Sequence, residues 1–197
     1  KGVVLDLYSL SYYVAKTFLI LGNIDAAYKQ ITYSLIILKE EIIKESRIKY
    51  TEELAECYST IANILAVRLK TNDDKKQAIQ YYTLAIITLQ EKSCNSSSVA
   101  GAHAELGSFL HDIGDLVGAL QHYKNALNIW SHQKVQTIKI KKSLSNLLSN
   151  IALVLKDMDQ RDEAMDFLNK AFAILPPTSS QLEVAFILGN KSRLSYE

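Results

Sequence analysis

Histidine and cysteine side chains are the groups in this chain best suited to bind a metal ion or attack a substrate, and neither forms a known motif. A metal site on one helix needs two ligands about four positions apart. The four histidines have no such partner among themselves: His103, His111, His122 and His132. Cys57 and Cys94 also lack metal-binding or redox spacing. We therefore expect no metal, no cofactor, and two free thiols in a reducing compartment.

Catalytic motifs are missing as well. The sequence has no Gly-rich phosphate loop, no His-Glu-x-x-His and no Cys-x-x-Cys. A net charge of +1 argues against nucleic acid as the main ligand, because that affinity rests on many phosphate contacts. No run of eighteen apolar residues is present, so we expect no membrane insertion. The sequence favours a non-enzymatic, intracellular protein, in the cytoplasm rather than the nucleus.

A pattern of small and bulky residues occurs four times and indicates the fold. Each copy has a small residue on a first helix and, twelve positions later, an alanine that opens a second helix. A bulky residue follows that alanine by four positions, and a small one follows by seven. The copies comprise Ala15 with Ala27, Ile31 and Ser34; Ala66 with Ala78, Tyr82 and Ala85; Gly107 with Ala119, Tyr123 and Ala126; and Ala152 with Ala164, Leu168 and Ala171. Such helix pairs bury their apolar faces only by stacking, which predicts an all-α solenoid.

This register resembles that of the tetratricopeptide repeat, and the resemblance covers nearly the whole chain. It implies a right-handed superhelical solenoid that acts as a protein–protein interaction domain. The family's tryptophan position carries other residues here: Ser11, Ala62, His103 and Leu148. The small core residues recur after 51, 41 and 45 positions, against about 34 in the standard repeat. Such lengthened units resemble those of kinesin light chain and of the polarity adaptor known as Leu-Gly-Asn-rich protein.

Turn and capping residues place the repeats within one domain, 1–197. The predicted repeats cover about 3–47, 51–92, 98–132 and 136–175, and a ninth helix over 179–195 either caps the solenoid or begins a fifth repeat. Thr51, Asp115 and Thr178 are predicted to begin helices as caps. The aromatic residues at repeat cores are predicted to be buried: Tyr82, Tyr123 and Phe172.

The resemblance also implies a binding site, because the first helix of each tetratricopeptide pair lines a concave groove. The candidate groove residues are Tyr12, Lys16, Asn63, Val67, Lys70, Ser108, His111, Ser149, Asn150, Leu153 and Lys156. Asn63 and Asn150 stand out because an amide both donates and accepts, so it can pair with the backbone of an extended peptide. The alternative is that each asparagine pairs with the adjacent repeat. The lysines favour a mildly acidic partner.

Two functions are consistent with these patterns. The first is a module that binds a partner peptide or helix in its groove, as part of a larger adaptor or scaffold protein. The second is a structural or assembly solenoid that self-associates, or packs within its parent chain, through the repeat ends. A separate basic cluster suggests either an acidic partner or membrane surface, or a solvated turn: Lys134, Lys139, Lys141 and Lys142.

Overall fold

Helices follow one another along the chain, joined by short turns. The computed structural model describes residues 2–44, 47–69, 71–93, 96–133 and 137–196. Within those ranges there are nine α-helices and no strand, so the predicted all-α fold class is confirmed. The helices are α1 (Gly2–Ile20), α2 (Ile24–Lys44), α3 (Thr51–Arg68), α4 (Asn72–Lys92), α5 (Ser97–Asp112), α6 (Leu116–Ser131), α7 (Ile138–Asp157), α8 (Arg161–Ile174) and α9 (Gln181–Tyr196). None of the described helices is long and apolar enough to cross a membrane.

The helix starts follow capping chemistry, although two of the predicted caps are wrong. Asp115 begins α6 as predicted, since its carboxylate accepts a hydrogen bond from the Gly118 amide (2.9 Å). Thr51 is not a cap, because a 3₁₀ turn over Arg47–Tyr50 runs directly into α3. Its hydroxyl donates back to the Ile48 carbonyl instead (3.0 Å).

The cap of α9 lies two residues beyond the predicted Thr178. The Ser180 amide donates to the Glu183 carboxylate (2.7 Å), and the Glu183 amide donates to the Ser180 hydroxyl (3.3 Å). This reciprocal arrangement is a capping box. The prediction had the right motif in the wrong register, because a turn in which the Ser179 amide donates to the Pro176 carbonyl (2.9 Å) comes before the helix.

The chain divides into two compact units, Lys1–Ala102 and His103–Glu197. In the first unit, α1 packs on α2 and α3 packs on α4. In the second unit, α7 packs on α8, α6 contacts α7, and α9 contacts α8. Each second helix is therefore the partner of the first helix that precedes it, as the repeat pattern requires.

Small residues let the paired helices approach closely. Ala15, Ala27 and Ile31 are fully buried in the first pair. At Gly107 a Cβ atom would lie only 2.7 Å from the Tyr123 ring, so α5 and α6 meet where a side chain is absent. The second copy differs from the prediction, because Ala62 and Leu65 are fully buried whereas Ala66 is half-exposed. Leu168 is buried in the fourth copy, but Phe172 is 44% exposed, so its assignment to the core is corrected.

The position that holds tryptophan in the resembled family is filled differently in each pair. The residue paired with this position lies nineteen positions later in the sequence, on the second helix. Ser11 donates to the Gln30 side-chain oxygen (3.0 Å), and His103 Nδ1 lies 2.9 Å from His122 Nδ1. The same register holds Ala62 with Tyr81 and Leu148 with Phe167. Two pairs therefore have a polar contact between helices at this position, whereas the sequence places apolar or aromatic residues there in the other two.

Candidate protein-interaction surface

The two groove candidates on α1, Tyr12 and Lys16, contact each other within a cluster of tyrosines. Tyr12 is buried, stacks on Tyr8 with ring centroids 5.9 Å apart, and meets the edge of Tyr13. The Lys16 ammonium lies 5.1 Å from the Tyr12 ring centroid. Burial raises the pKa of Tyr12, whereas hydrogen bonding to the Tyr12 side chain raises the pKa of Lys16. Tyr13 is 65% exposed, so it, rather than Tyr12, presents an aromatic ring to solvent.

Asn63 on α3 is engaged within its own helix pair. Its side-chain oxygen accepts a hydrogen bond from the Tyr82 hydroxyl of α4. Because this bond uses the acceptor of the amide, Asn63 offers a partner only its donor side. Val67, one turn further along α3, is 62% exposed. The remaining candidate of this helix, Lys70, lies outside the described residues.

Val67 forms one wall of an open cleft of about 520 Å³ in the first unit. The opposite wall is the turn between α1 and α2, at residues 21–25. Leu21 in that turn is 72% exposed, and Asp25 and Arg68 supply charge at the rim. Arg68 is held in place, since its Nε donates to the Asp74 carboxylate (3.0 Å) and its guanidinium lies over the Tyr28 ring. The cleft therefore combines exposed apolar side chains with a fixed cation, which suits an amphipathic protein segment.

In the second unit, Tyr123 of α6 links two of the candidates. Its side chain hydrogen-bonds both Ser108 of α5 and Asn150 of α7. Tyr123 is almost fully buried, and this burial raises the pKa of Tyr123 to about 12. Asn150 therefore joins neighbouring helix pairs, as one of its two predicted roles required.

His111 and Ser149 are also committed to contacts inside the second unit. His111 Nε2 lies 2.7 Å from the Asp157 carboxylate at the end of α7. Ser149 has no exposed surface, and its hydroxyl donates to the Ser145 carbonyl one turn earlier (3.0 Å). Ser149 is thus part of the core and not available to a partner.

Leu153 and Lys156 lie against α9. Together with Asn190 and Arg193 they line a cavity of about 20 Å³, which is the size of a single water molecule. The Asn190 side-chain nitrogen is buried and has no acceptor among the described residues. This cavity is too small to hold a peptide side chain, so Leu153 and Lys156 offer a partner only their half-exposed outer surfaces.

The structure therefore divides the described candidates into three groups. Lys16, Val67, Leu153 and Lys156 keep surface that a partner can reach, whereas Tyr12 and Ser149 are buried. Asn63, Ser108, Asn150 and His111 are held by contacts between helices.

Sequence reasoning missed Leu21 and Arg68, which line the cleft beside Val67. The Gly22 turn marked Leu21 as the end of a helix, but nothing in the repeat register placed it opposite Val67. The histidine pair was also missed, because its partners are nineteen positions apart on different helices.

The cysteines and the basic cluster are the remaining groups whose side chains could take part in chemistry. Cys57 is fully buried, and this burial raises the pKa of its thiol to about 12, which keeps it unreactive. Cys94 lies outside the described residues. No group of three or more potential metal ligands occurs among the residues the structure describes. Lys142 of the basic cluster pairs with Glu183 of α9 (3.2 Å), and Lys134 lies outside the described residues.

Comparisons with known proteins agree with this architecture. Residues 145–176 match the sequence family described as Tetratricopeptide repeat. No curated protein matches the chain. Three solved structures are similar to it and are themselves tetratricopeptide-type helical solenoids.

The first of these structures, BtubC (BKLC) from P. vanneervenii, is 22% identical, with a TM-score of 0.73 over 89% of this chain and 69% of that one. RapI in its apo form is 14% identical, with a TM-score of 0.80 over 98% of this chain and 49% of RapI. The chain thus spans about half the length of RapI. The pilF protein of Pseudomonas aeruginosa is 14% identical, with a TM-score of 0.65 over 98% of this chain and 71% of that one.

Proposed function

We propose that this chain, in which residues 145–176 match the tetratricopeptide repeat and the helices pack in pairs as in tetratricopeptide-type solenoids, binds a segment of a partner protein on its first helices and acts as an adaptor. Tetratricopeptide repeats generally mediate protein–protein interaction. The observation that carries the proposal is the cleft between Val67 and the turn after α1. Leu21 and Val67 expose apolar side chains there, within an open cleft that the turn and the end of α3 enclose on two sides.

The chemistry of the cleft favours an amphipathic segment. Leu21 and Val67 offer apolar surface, and Arg68 is already positioned by Asp74, so it needs no ordering when a carboxylate or carbonyl approaches. Lys16 and Lys156 add positive charge on first helices of the two units, which supports the preference for a mildly acidic partner. The engaged asparagines have a different part in this proposal: they hold the first helices in register.

Two valines allow a matched test. Val67 on a first helix and Val117 on the second helix α6 are 62% and 72% exposed, so either accepts glutamate without loss of core. The Val67→Glu variant is expected to lose bound proteins in affinity capture from a matching cell lysate, because a carboxylate would face the apolar wall of the cleft. The Val117→Glu variant is expected to retain them.

Circular dichroism and thermal unfolding of both variants establish that the fold is unchanged. Loss of the same proteins from both variants, or from neither, would contradict the assignment of the cleft. Replacing Lys156 by glutamate tests the charge preference: weaker capture at low salt, with the difference reduced at high salt, is the expected result.

A further inference from the structure

The second helices of the first unit, α2 and α4, expose bulky apolar side chains on their outer faces. Tyr33 and Ile36 of α2 are 51% and 50% exposed, and Leu84 and Ile87 of α4 are 41% and 49% exposed. Both pairs lie six and nine positions after the alanine that opens the helix pattern. In the second unit these positions are occupied by Asn125 and Asn128 on α6, and by Lys170 and Ala173 on α8. The repeat itself therefore does not require bulky apolar side chains here.

Neighbouring repeats leave this outer face uncovered. The pair of α3 and α4 follows α2 and packs on it through α3, yet Tyr33 and Ile36 are exposed. The pair of α1 and α2 precedes α4, yet Leu84 and Ile87 are exposed. Because the two helices occupy equivalent places in their repeats, a repeat added on either side of them would also leave the face open.

A contact between tyrosines joins the two exposed pairs. Tyr28 of α2 lies near Tyr81 of α4, since burial and, to a smaller extent, the neighbouring Tyr28 raise the pKa of Tyr81. Both tyrosines are half-buried. Tyr28 also lines an open hollow of about 530 Å³ together with Tyr33 and Ile36. The apolar surface thus continues from α2 to α4.

Charged residues flank the apolar pair of α2 symmetrically. Lys29 lies four positions before Tyr33, and Glu40 lies four positions after Ile36; both charged side chains are exposed. Residues three and four positions apart share one face of a helix. The outer face of α2 therefore has a basic end and an acidic end, at equal distances from a midpoint between positions 34 and 35.

We propose that the outer faces of α2 and α4 bind the same faces of a second copy of this chain, with each helix antiparallel to its counterpart. A two-fold axis then crosses α2 at its midpoint. Tyr33 faces Ile36 of the second copy, and Lys29 faces Glu40 of the second copy. The symmetry repeats each contact, so the face is complementary to itself in shape and in charge. This surface is distinct from the repeat ends and from the cleft beside Val67.

The size of the face fits a weak, reversible dimer. α2 and α4 have 21 residues each, so each is about 30 Å long, and packed helices lie about 10 Å apart. Faces of about 30 by 20 Å would bury about 1,200 Å² in total, which is the lower limit of specific interfaces. We expect a dissociation constant of about 1–100 µM.

Sedimentation velocity of the whole chain, from about 1 µM to about 500 µM, tests the dimer. Ile36→Glu places a carboxylate in the apolar centre of the face and is expected to weaken the dimer about tenfold or more. Val117→Glu, at a 72% exposed position of α6, is the matched control and is expected to leave the dimer unchanged. A chain that stays monomeric, or a dimer that Ile36→Glu leaves intact, would overturn the proposal.

Charge reversal tests the antiparallel arrangement. Lys29→Glu and Glu40→Lys each place like charges opposite one another, and each is expected to weaken the dimer about threefold to tenfold at low salt. The variant with both substitutions restores unlike pairs and should dimerise as the natural chain does. Neither substitution opposes the helix macrodipole, so α2 should stay folded.

Two outcomes of these experiments would count against a second copy. A double variant that does not recover dimerisation would overturn the proposed pairing. A natural chain that is monomeric and captures another protein from a cell lysate, when Ile36→Glu does not, would overturn the proposal in favour of a partner protein on this face.

Discussion

Two imidazole rings, those of His103 and His122, lie between α5 and α6. His103 occupies the position that holds tryptophan in the tetratricopeptide repeat, which the sequence resembles. His103 is buried, and its Nδ1 lies within hydrogen-bond distance of His122 Nδ1, so one ring donates and the other accepts. Burial lowers the pKa of His103 to about 4, with the His122 charge adding to the effect. Burial also lowers the pKa of His122, although Asp115 opposes this. The pair is therefore neutral in the folded protein.

This pair should make stability depend on pH. Unfolded histidines take up protons below about pH 6.5, while folded His103 stays neutral until about pH 4. The pKa of folded His122 is also below its usual value, because the ring is buried. The unfolded state thus binds more protons in that interval, and the free energy of unfolding falls as the pH is lowered from about 6.5 to about 4. The variant His103→Leu/His122→Phe copies the Leu148 and Phe167 pair of the fourth repeat. We expect its stability advantage over the natural chain to grow between pH 7 and pH 5.

Urea unfolding at several pH values measures that advantage. His103→Leu alone is the control, because it leaves His122 without its partner and should cost about 1–3 kcal/mol at pH 7. A double variant with the same pH profile as the natural chain would contradict the role assigned to the pair.

At the scale of the helix pair, the size of the residue on the first helix limits the size of the side chain that can face it on the second helix. Gly107 faces Tyr123, whereas Ala15 and Ala152 occupy the equivalent positions beside the smaller Ile31 and Leu168. Gly107→Ala would push a Cβ atom against the tyrosine ring. We expect overpacking of about 1–3 kcal/mol, reduced by a gain of up to about 1 kcal/mol in helix propensity.

A double-mutant cycle checks this coupling. Tyr123→Leu should be destabilising alone, since it removes the hydrogen bonds to Ser108 and Asn150. Combined with Gly107→Ala, it reproduces the residues of the fourth repeat. The double variant should therefore lose less stability than the sum of the losses in the two single variants. Simple additivity, measured by chemical unfolding, would mean that the glycine is not required by the ring.

The helices of this fold were predictable from sequence because the residues that pack one helix on the next recur in each repeat. The predicted and observed helices agree closely, since alanine, bulky and small residues recur at fixed spacing in each pair. The site was less predictable. Asn63 and Asn150 have the side chains of peptide-binding residues, but their engagement depends on tyrosines of the second helices, Tyr82 and Tyr123. Such contacts depend on how two helices are rotated against each other, which repeat spacing leaves open.

At the scale of the whole molecule, a repeat protein owes its stability to each helix pair and to the contacts between neighbours. Helices covered on two sides should then open less often than a helix covered on one. In the second unit, α7 is buried along most of its length, between α6 and α8. Of the described side chains of α9, those of Ile187 and Asn190 are buried, and the opposite face is open.

Hydrogen exchange should therefore show a gradient within this unit. We expect the amides of residues 185–194 to exchange at least about tenfold faster than those of residues 147–155, because opening α9 exposes little apolar surface. Equal protection of the two helices would contradict this gradient, because it would mean that α9 is already covered. Repeating the measurement at a tenfold lower protein concentration would then show whether a second copy provides that cover.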